Sequence, residues 1–214
     1  MPVNALSSAR SARLVGLIIL FALALPACAQ PRVVTSLLEI RRAHVVIQHW
    51  DLSCGAAALA TLLRYQYGVP VSERQVALAL MNRPVYLKHP ELVRIRQGFS
   101  LLDLKRYADS HGYLGVAYGG LELKDLLKMA PAMVPINMLG YNHFVIFRGR
   151  LGNRVLLADP AWGNRTLLVQ DFLDAWINFP QLGHVAFMVK ERDGQQGPMG
   201  ALAPRIRDFA MFEP

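Results

Sequence analysis

The pattern of apolar and polar positions divides the chain into a helical first part and a second part rich in strands. Good helix formers behind capping residues predict helices at 54–67, 72–81 and 101–110. Short β-branched or apolar runs predict strands at 44–49, 113–118, 133–139, 143–148, 154–158 and 184–189. Two further helices are predicted at 123–129 and 170–178. Helices followed by closely linked strands favour an α+β fold with an antiparallel sheet.

The remaining segments set the limits of this domain. Residues 30–43 form a lead-in with little core of its own, and residues 82–98 form an irregular basic excursion that contains two prolines. Residues 191–214 are rich in Gly and Pro, which predicts a mobile C-terminal tail. We therefore expect a single domain at 44–190, which agrees with a chain length of 214 residues.

The first 29 residues have the layout of a secretory signal peptide. Arg10 and Arg13 precede an uncharged apolar run at 14–25, and residues 27–29 (ACA) fit a small-residue cleavage site. The run is shorter than the roughly 20 apolar residues that spanning a bilayer requires. We therefore expect cleavage after residue 29 and export to the periplasm.

Cys28 allows a second interpretation of the same segment. Residues 25–28 (LPAC) resemble a lipoprotein box, in which Cys28 would be lipidated, although Pro26 is atypical in such a box. Contact with a membrane is expected only under this alternative. By either route Cys28 cannot form a disulfide within the folded domain, which leaves Cys54 as a lone thiol. A lone thiol in an exported protein is either reactive or buried and inert.

Composition and charge exclude several classes of protein. Charged residues make up 18% and apolar residues 53% of the chain, a mixture that can bury a core. The formal charge of +8 becomes +6 when Arg10 and Arg13 are removed, and it is scattered, so nucleic-acid binding is not expected. The sequence has no G-x-x-x-x-G-K-[ST] loop and no C-x-x-C or H-E-x-x-H spacing. We therefore expect no ATP, no metal and no other cofactor.

Cys54 is the strongest candidate for chemistry. It begins the predicted helix 54–67, where unpaired N–H groups and the positive end of the helix dipole favour a thiolate. The small residues at 55–58 leave room for another chain to approach. The alternative is a buried, inert cysteine on an apolar helix.

Three polar residues can complete a nucleophilic site around Cys54. Gln48 lies six residues before it, at the end of a predicted strand, where a side-chain amide can donate to an oxyanion. His143 begins one predicted strand and Asp159 ends the next. A hairpin of these strands would let the carboxylate hold the imidazole. Each residue has an ordinary structural explanation by itself, and His49 is the alternative base because it is close to Cys54 in sequence.

Together these residues resemble family 39 of the cysteine peptidases, papain-like enzymes that remove double-glycine leaders from bacteriocins. The resemblance extends over residues 44–180, and segment 98–113 resembles the family's middle helix. It is carried by Gln48-x5-Cys54-Gly55, His143-Phe144-Val145-x3-Gly149 and Val155-x3-Asp159-Pro160-x2-Gly163. The family implies a papain-like α+β fold, in which the nucleophile begins a helix packed on an antiparallel sheet that carries the His and the Asp.

The resemblance also implies an activity. Cys54 would be the nucleophile, His143 the base, Asp159 the residue that orients the base and Gln48 the oxyanion donor of a cysteine endopeptidase. The substrate would be a protein or peptide that is cut after small residues such as Gly-Gly. The signal peptide and the length resemble stand-alone exported members, among them the peptidase found with functional-amyloid secretion systems. An amyloid subunit or a secretion component is then the expected partner.

Two other activities stay open on the sequence alone. The fold could serve as a chaperone or leader-binding module that does not cut, although such domains typically lose the nucleophile that Cys54 provides here. The same triad could also transfer the acyl group to an amine instead of water. Ser53 stands where exporter-fused members often have Asp, which we interpret as a change of helix cap without loss of activity.

Overall fold

The computed structural model describes residues 34–209. The helices of the first half are α1 (Leu37–Arg42), α2 (Cys54–Tyr67), α3 (Glu73–Met81), α4 (Pro84–Lys88), α5 (Leu92–Ile95) and α6 (Leu101–Ser110). The predicted signal peptide, with Cys28, lies outside the described residues, and so do residues 210–214. Within 34–209, no helix is both long enough and apolar enough to cross a membrane.

The second half of the chain contains the sheet. Its strands are β1 (Leu114–Tyr118), β2 (Ala132–Met138), β3 (Tyr141–Leu151), β4 (Arg154–Asp159), β5 (Gly163–Leu168), β6 (Asn178–Phe179), β7 (Gly183–His184) and β8 (Ala186–Lys190). The helices there are α7 (Leu123–Met129), α8 (Val169–Ala175) and α9 (Ile206–Phe209), with a 3₁₀ turn at Gly200–Leu202. Six strands form one sheet in the order β1-β8-β2-β3-β4-β5, and all neighbours are antiparallel. The predicted α+β fold is confirmed.

Capping residues explain where the main helices begin. Ser72 and Ser100 each accept a hydrogen bond from the backbone N–H three residues later, at Gln75 and Asp103, whose side chains bond back to the cap backbone. These two helices therefore begin where the sequence predicts. Helix α2 also has its predicted bounds, and it ends at Gly68, whose φ of +73° lies in the left-handed region that favours glycine.

Helix α2 lies at the centre of the domain. Its alanines and leucines are fully buried against α3, α6 and one face of the sheet, where they meet Met133, Ile146 and Phe187. The opposite face of the sheet packs on α7 and α8 in a second core that contains Leu126 and Phe172. Each buried Leu, Ile or Phe side chain stabilises the fold by about 1.5–3 kcal/mol. This packing fixes α2, and with it the residue at its N-terminus, against the sheet.

Segment 44–49 is not the strand that the sequence predicts. His44 has a φ of +59°, which is incompatible with a strand. The Val46 N–H donates to the Thr61 hydroxyl at 3.0 Å, and the Gln48 N–H donates to the Pro160 carbonyl oxygen at 2.8 Å. The prediction is wrong because the apolar residues of this run pack against the core around α2 and do not pair with a neighbouring strand.

Two other segments contain regular structure that the sequence did not predict. Strand β5 pairs with β4 along its whole length, from Leu168 opposite Arg154 to Gly163 opposite Asp159. Its sequence, GNRTLL, has no alternation of apolar and polar residues, so the pairing is dictated by its neighbour. The excursion at 82–98 contains α4 and α5, and not only irregular backbone.

The C-terminal segment packs against the domain, contrary to the mobile tail that its composition predicts. Leu202 is fully buried in the core around α2. Arg148 of β3 is also fully buried, and it donates to the carbonyl oxygens of Leu202 and Ala203 at 2.9 and 3.0 Å. Its guanidinium pairs with Asp208 at 2.8 Å. A buried guanidinium requires such partners, so this segment is part of the fold, and the boundary expected at residue 190 does not match the packing.

Candidate active site

Cys54 is the first residue of α2, as the sequence predicts, and it is a free thiol. Only 2% of its surface is exposed. Ser53 occupies the N-cap position, but its side chain makes no capping hydrogen bond. Its hydroxyl donates its one proton to the Glu73 carboxylate and lies 2.7 Å from the Trp50 carbonyl oxygen. The first-turn N–H groups of α2 are therefore not satisfied by this side chain, and their positive field acts at the sulfur.

His143 and Asp159 form a hydrogen-bonded pair beside this helix end. In the β3–β4 pair, Ile146 lies opposite Ala158. His143 near the start of β3 and Asp159 at the end of β4 therefore lie on neighbouring strands at the open end of the hairpin. The His143 Nε2 atom lies 2.7 Å from Asp159 Oδ1. The Nδ1 atom has no partner other than the neighbouring Cys54 among the described residues, so it can exchange a proton with that side chain.

Asp159 is fully buried and held by several donors. The N–H groups of Ala161 and Trp162 donate to its Oδ1 atom at 2.8 and 3.3 Å, and Arg165 of β5 forms an ion pair with Oδ2 at 2.8 Å. Burial opposes ionisation of Asp159, but the hydrogen bond and charge of His143, the Arg165 guanidinium and the Ala161 N–H together lower its pKa. The carboxylate is therefore ionised and fixed in orientation.

The charge state of His143 follows from its surroundings. Burial by itself lowers the pKa of the imidazole, but the hydrogen bond and negative charge of Asp159, with the neighbouring Cys54, raise that pKa to about 9. His143 is consequently an imidazolium at neutral pH. The imidazolium lies beside the Cys54 sulfur at the N-terminus of α2.

Gln48 is held in place by two hydrogen bonds, one from its backbone N–H and one from its side-chain amide. Its own N–H is bound to Pro160, the residue that follows Asp159. Its side-chain Nε2 donates to the Trp50 carbonyl oxygen at 3.3 Å, and its Oε1 atom is buried without a hydrogen-bond partner among the described residues. A primary amide carries two N–H groups. One of them is used by Trp50, so the other is free for an external acceptor.

A cavity of about 510 Å³ adjoins His143. Its wall is mainly apolar and includes Phe99, Leu101, Phe144, Ile177, Phe179 and Leu182. Tyr141 lies beside the site, with its ring 6.2 Å from that of His143. Burial and the charge of Cys54 raise the pKa of Tyr141, so its phenol is neutral at physiological pH.

The sequence anticipates part of this site. The structure brings Cys54, His143 and Asp159 together, and it ties Gln48 to the residue after Asp159. The alternative base, His49, has a side chain that is 75% exposed and contacts Glu73 instead.

Several neighbours of the site were not predicted from the sequence. Arg165 lies on the unpredicted strand β5, and Glu73 has only the pattern of a helix start. For Tyr141, the only signal is its position two residues before His143. Among residues 34–209 there is no group of three or more side chains suited to hold a metal ion.

The fold and the site define a domain of the papain-like cysteine peptidase class, with a cysteine at the start of a buried helix beside a His–Asp pair on an antiparallel sheet. The sequence profile of the peptidase C39 family matches residues 42–180. The chain belongs to this family.

Two curated relatives come from pseudomonads. The chain is 40% identical over 144 residues to the "probable functional amyloid protease FapD" of Pseudomonas aeruginosa, a match that covers 67% of this chain and 61% of that protein. It is 40% identical over 152 residues to the protein of the same name from Pseudomonas fluorescens, covering 70% of this chain and 65% of that protein. The chain therefore matches less than two thirds of the length of these relatives.

Two solved structures share the fold. One is a double-glycine-motif protease from an AMS/PCAT transporter, in complex with the leader peptide; it is 26% identical, with a TM-score of 0.54, and the match covers 69% of this chain and 90% of that one. The other is the peptidase domain of Streptococcus ComA, a bifunctional ABC transporter involved in quorum sensing. It has a TM-score of 0.54 at 17% identity and covers 71% of this chain and 100% of that one, a likeness that concerns the fold alone.

Proposed function

We propose that the protein is a cysteine endopeptidase in which Cys54 is the nucleophile, His143 the general base and acid, Asp159 the orienting carboxylate and Gln48 an oxyanion donor. The observation that carries this proposal is the His143–Asp159 pair beside the buried start of α2, where the second ring nitrogen of His143 has no partner other than Cys54 among the described residues. A buried inert cysteine would have no need of a charged His–Asp pair next to it, since burying charges is unfavourable without a function or strong compensation.

The reaction follows from this arrangement. The Cys54 thiolate attacks the scissile carbonyl carbon, and the oxygen becomes negatively charged beside the free N–H of Gln48 and the first-turn N–H groups of α2. The Nδ1 proton of His143 then passes to the leaving amine, and the carbon–nitrogen bond breaks to leave a thioester on Cys54. In the second half, Nδ1 accepts a proton from water, which attacks the thioester and regenerates the thiolate.

The substrate of this proposal is a peptide segment with small residues, Gly-Gly among them, on the acyl side of the cut. The cavity beside His143 supports binding of an apolar segment of that substrate, because its wall is largely apolar. The related double-glycine-motif protease was solved with a leader peptide bound, which supports a substrate of the same chemical kind. The names of two relatives, probable functional amyloid proteases, support an exported amyloid subunit or a secretion component as the protein that is cut.

The site of action in this proposal is the periplasm. The basic and apolar residues at 10–25 and the small residues at 27–29 support export by a signal peptide. Expression of the full chain with N-terminal sequencing of the periplasmic fraction tests this point. A mature N-terminus at residue 30 supports cleavage by signal peptidase, a lipidated Cys28 supports the lipoprotein alternative, and an intact N-terminus in the cytoplasmic fraction contradicts export.

The activity is tested by intact mass spectrometry of exported proteins encoded by neighbouring genes, incubated with the wild-type protein or with Cys54→Ala. A new terminus that appears only with the wild type supports the proposal and gives the cleavage site. Addition of the mass of water distinguishes hydrolysis from transfer to an amine. Identical masses with both proteins, with substrate still bound, would instead support the non-cutting leader-binding alternative.

A further inference from the structure

The segment between Gln48 and Cys54 has no regular secondary structure, although it separates the two residues that must act on one carbonyl group. Leu52 within it has a φ of +68°, a left-handed conformation that is unfavourable for a residue other than glycine. Backbone groups in such a segment need partners outside the segment. What holds segment 48–53 in place therefore determines how the oxyanion donor is aligned with the nucleophile.

A single carboxylate, that of Glu73, supplies most of these partners. Its Oε1 and Oε2 atoms accept from the His49 N–H at 2.9 and 3.0 Å, and Oε1 also accepts from the Trp50 N–H at 3.5 Å. Oε1 accepts from the Ser53 hydroxyl as well, and Oε2 lies 2.9 Å from the His49 Nδ1 atom. Glu73 thus binds the segment just after Gln48 and just before Cys54.

Glu73 is suited to this role by its own position. It is the first residue of α3, where the helix dipole stabilises a negative charge, and only 3% of its surface is exposed. Within residues 34–209 it forms no ion pair with Lys or Arg, and the donors of segment 48–53 take the place of one. Breaking the hydrogen bonds of a buried carboxylate that is satisfied in this way is strongly unfavourable. Glu73 is therefore a rigid support.

The link from Glu73 to the oxyanion position passes through Trp50. Glu73 holds the Trp50 N–H, and the Trp50 carbonyl oxygen accepts the Gln48 Nε2 at 3.3 Å. This contact uses one N–H of the Gln48 amide and fixes the direction of the other. Loss of Glu73 would release Trp50, and the Gln48 amide would lose the acceptor that orients it.

We propose that Glu73 is a positioning residue for catalysis: it holds segment 48–53 so that the Gln48 amide and the start of α2 meet the same oxyanion. This inference rests on the proposed peptidase function. A positioning role predicts that loss of Glu73 weakens stabilisation of the oxyanion but leaves the reactivity of the thiolate unchanged. A merely structural role does not predict this difference. Alkylation of Cys54 by iodoacetamide needs the thiolate but no oxyanion donor, so the two effects are separable.

The test compares Glu73→Ala, Glu73→Gln and Gln75→Ala with the wild type. Gln75→Ala is the matched control, because Gln75 caps the same helix without contacting segment 48–53. Three quantities are measured: kcat and KM on a peptide ending in Leu-Gly-Gly-aminomethylcoumarin, the rate of alkylation by iodoacetamide, and the affinity of a peptide aldehyde ending in Gly-glycinal. The aldehyde forms a hemithioacetal with Cys54, and its affinity is read as protection against alkylation.

For Glu73→Ala we expect kcat to fall about 100-fold with KM and the alkylation rate within about threefold of wild type, since losing one oxyanion donor has effects of that size. The aldehyde should bind more weakly by about 10-fold or more. Glu73→Gln keeps one acceptor atom, so its losses of kcat and of aldehyde affinity should be smaller. If Glu73→Ala does not fold, Glu73→Gln is used for the test instead. Gln75→Ala should change none of the three quantities.

A double-mutant cycle shows whether Glu73 acts through Gln48. If it does, Glu73→Ala combined with Gln48→Ala loses no more kcat and aldehyde affinity than Gln48→Ala alone. Additive losses, or an alkylation rate that falls in step with kcat, would overturn the proposal. If the wild-type protein is alkylated and binds the aldehyde but never hydrolyses the peptide, the proposed function is contradicted. In that case the aldehyde affinities of the wild type and the Glu73 variants still decide whether Glu73 positions the oxyanion donor.

Discussion

Asp159→Asn gives a direct test of how the site is charged. The pKa of His143 is raised from 6.5 to about 9, although burial opposes the rise, so Asp159 and Cys54 together outweigh the effect of burial. A pKa difference of one corresponds to about 1.4 kcal/mol. The rise in the pKa of His143 therefore amounts to about 3 kcal/mol in favour of the imidazolium. Asparagine keeps the shape of the side chain but removes its charge. With only Cys54 left to oppose the effect of burial, the pKa of His143 should fall toward its ordinary value of 6.5.

This change alters the population of the reactive form. At pH 7.5 an imidazole with a pKa of about 9 is ~97% protonated, whereas one with a pKa of about 6.5 is ~10% protonated. Hydrolysis at pH 7.5 should therefore fall by about 10-fold from protonation alone, and further because the ring is held less firmly. The alkaline limit of kcat/KM should move from about pH 9 to about pH 6.5.

Nuclear magnetic resonance of ¹⁵N-labelled histidine measures the pKa without any substrate. The signal of His143 is assigned as the one that disappears in His143→Gln, and Asp174→Asn serves as a control because Asp174 lies on the exposed side of α8. A midpoint near pH 9 in the wild type and in Asp174→Asn, and near 6.5 in Asp159→Asn, agrees with the reasoning. An unchanged midpoint in Asp159→Asn would refute it.

The same pKa values fix how stability depends on pH. A raised pKa means that the stabilisation by His143, about 3 kcal/mol, is present in full below pH 6.5 and is lost as the pH rises through about 9. The pKa of Asp159 is lowered, so its contribution is present above about pH 3.8 and is lost as the pH falls further. Urea unfolding should therefore show the largest contribution of this pair between pH 3.8 and 6.5.

Three further substitutions test the fold around the site by urea unfolding. Arg148→Met should cost about 3–5 kcal/mol, because the buried Asp208 carboxylate and the Leu202 carbonyl oxygen lose the guanidinium that donates to them. An unchanged free energy of unfolding would mean that this contact does not hold the C-terminal segment. Leu202→Ala should cost about 2–5 kcal/mol, whereas exposed Leu139→Ala should cost almost nothing. Gly163→Ala should destabilise by more than about 1 kcal/mol, because its φ is +84° and a Cβ would meet the Arg41 carbonyl oxygen at 2.3 Å.

The parts of the fold that the sequence predicts well are those that local chemistry determines. Helix α2 begins behind Ser53 and ends at Gly68 because the run of Ala and Leu between them has no competing structure. The hairpin of β3 and β4 follows from apolar runs that lie close together in the chain. It brings His143 and Asp159 to the same end without any long-range information. These features could be predicted because the deciding contacts are close in sequence.

The errors arise where distant contacts decide the structure. Segment 44–49 has the composition of a strand, but it lies against α2 and the turn after β4, where the Gln48 N–H donates to the Pro160 carbonyl oxygen at 2.8 Å. Nothing in that run indicates a partner more than a hundred residues away. In the same way, Gly and Pro at 191–209 predict mobility, yet Arg148 provides a buried charge that binds this segment. The signal for that contact is an arginine inside the otherwise apolar strand β3.

The residues of the candidate site could be predicted from the sequence, but the residues that support them could not, and the reason is physical. Cys54, His143 and Asp159 are recognisable because their chemistry is rare at such positions, whereas Glu73 is an ordinary residue at a helix start. The geometry nevertheless depends on such supports, since the Gln48 N–H is bound to the Pro160 carbonyl oxygen at 2.8 Å. That bond joins the segment of the oxyanion donor to the turn that follows Asp159. A disturbance of that turn should therefore alter the alignment of the amide as well as the charge of the imidazole.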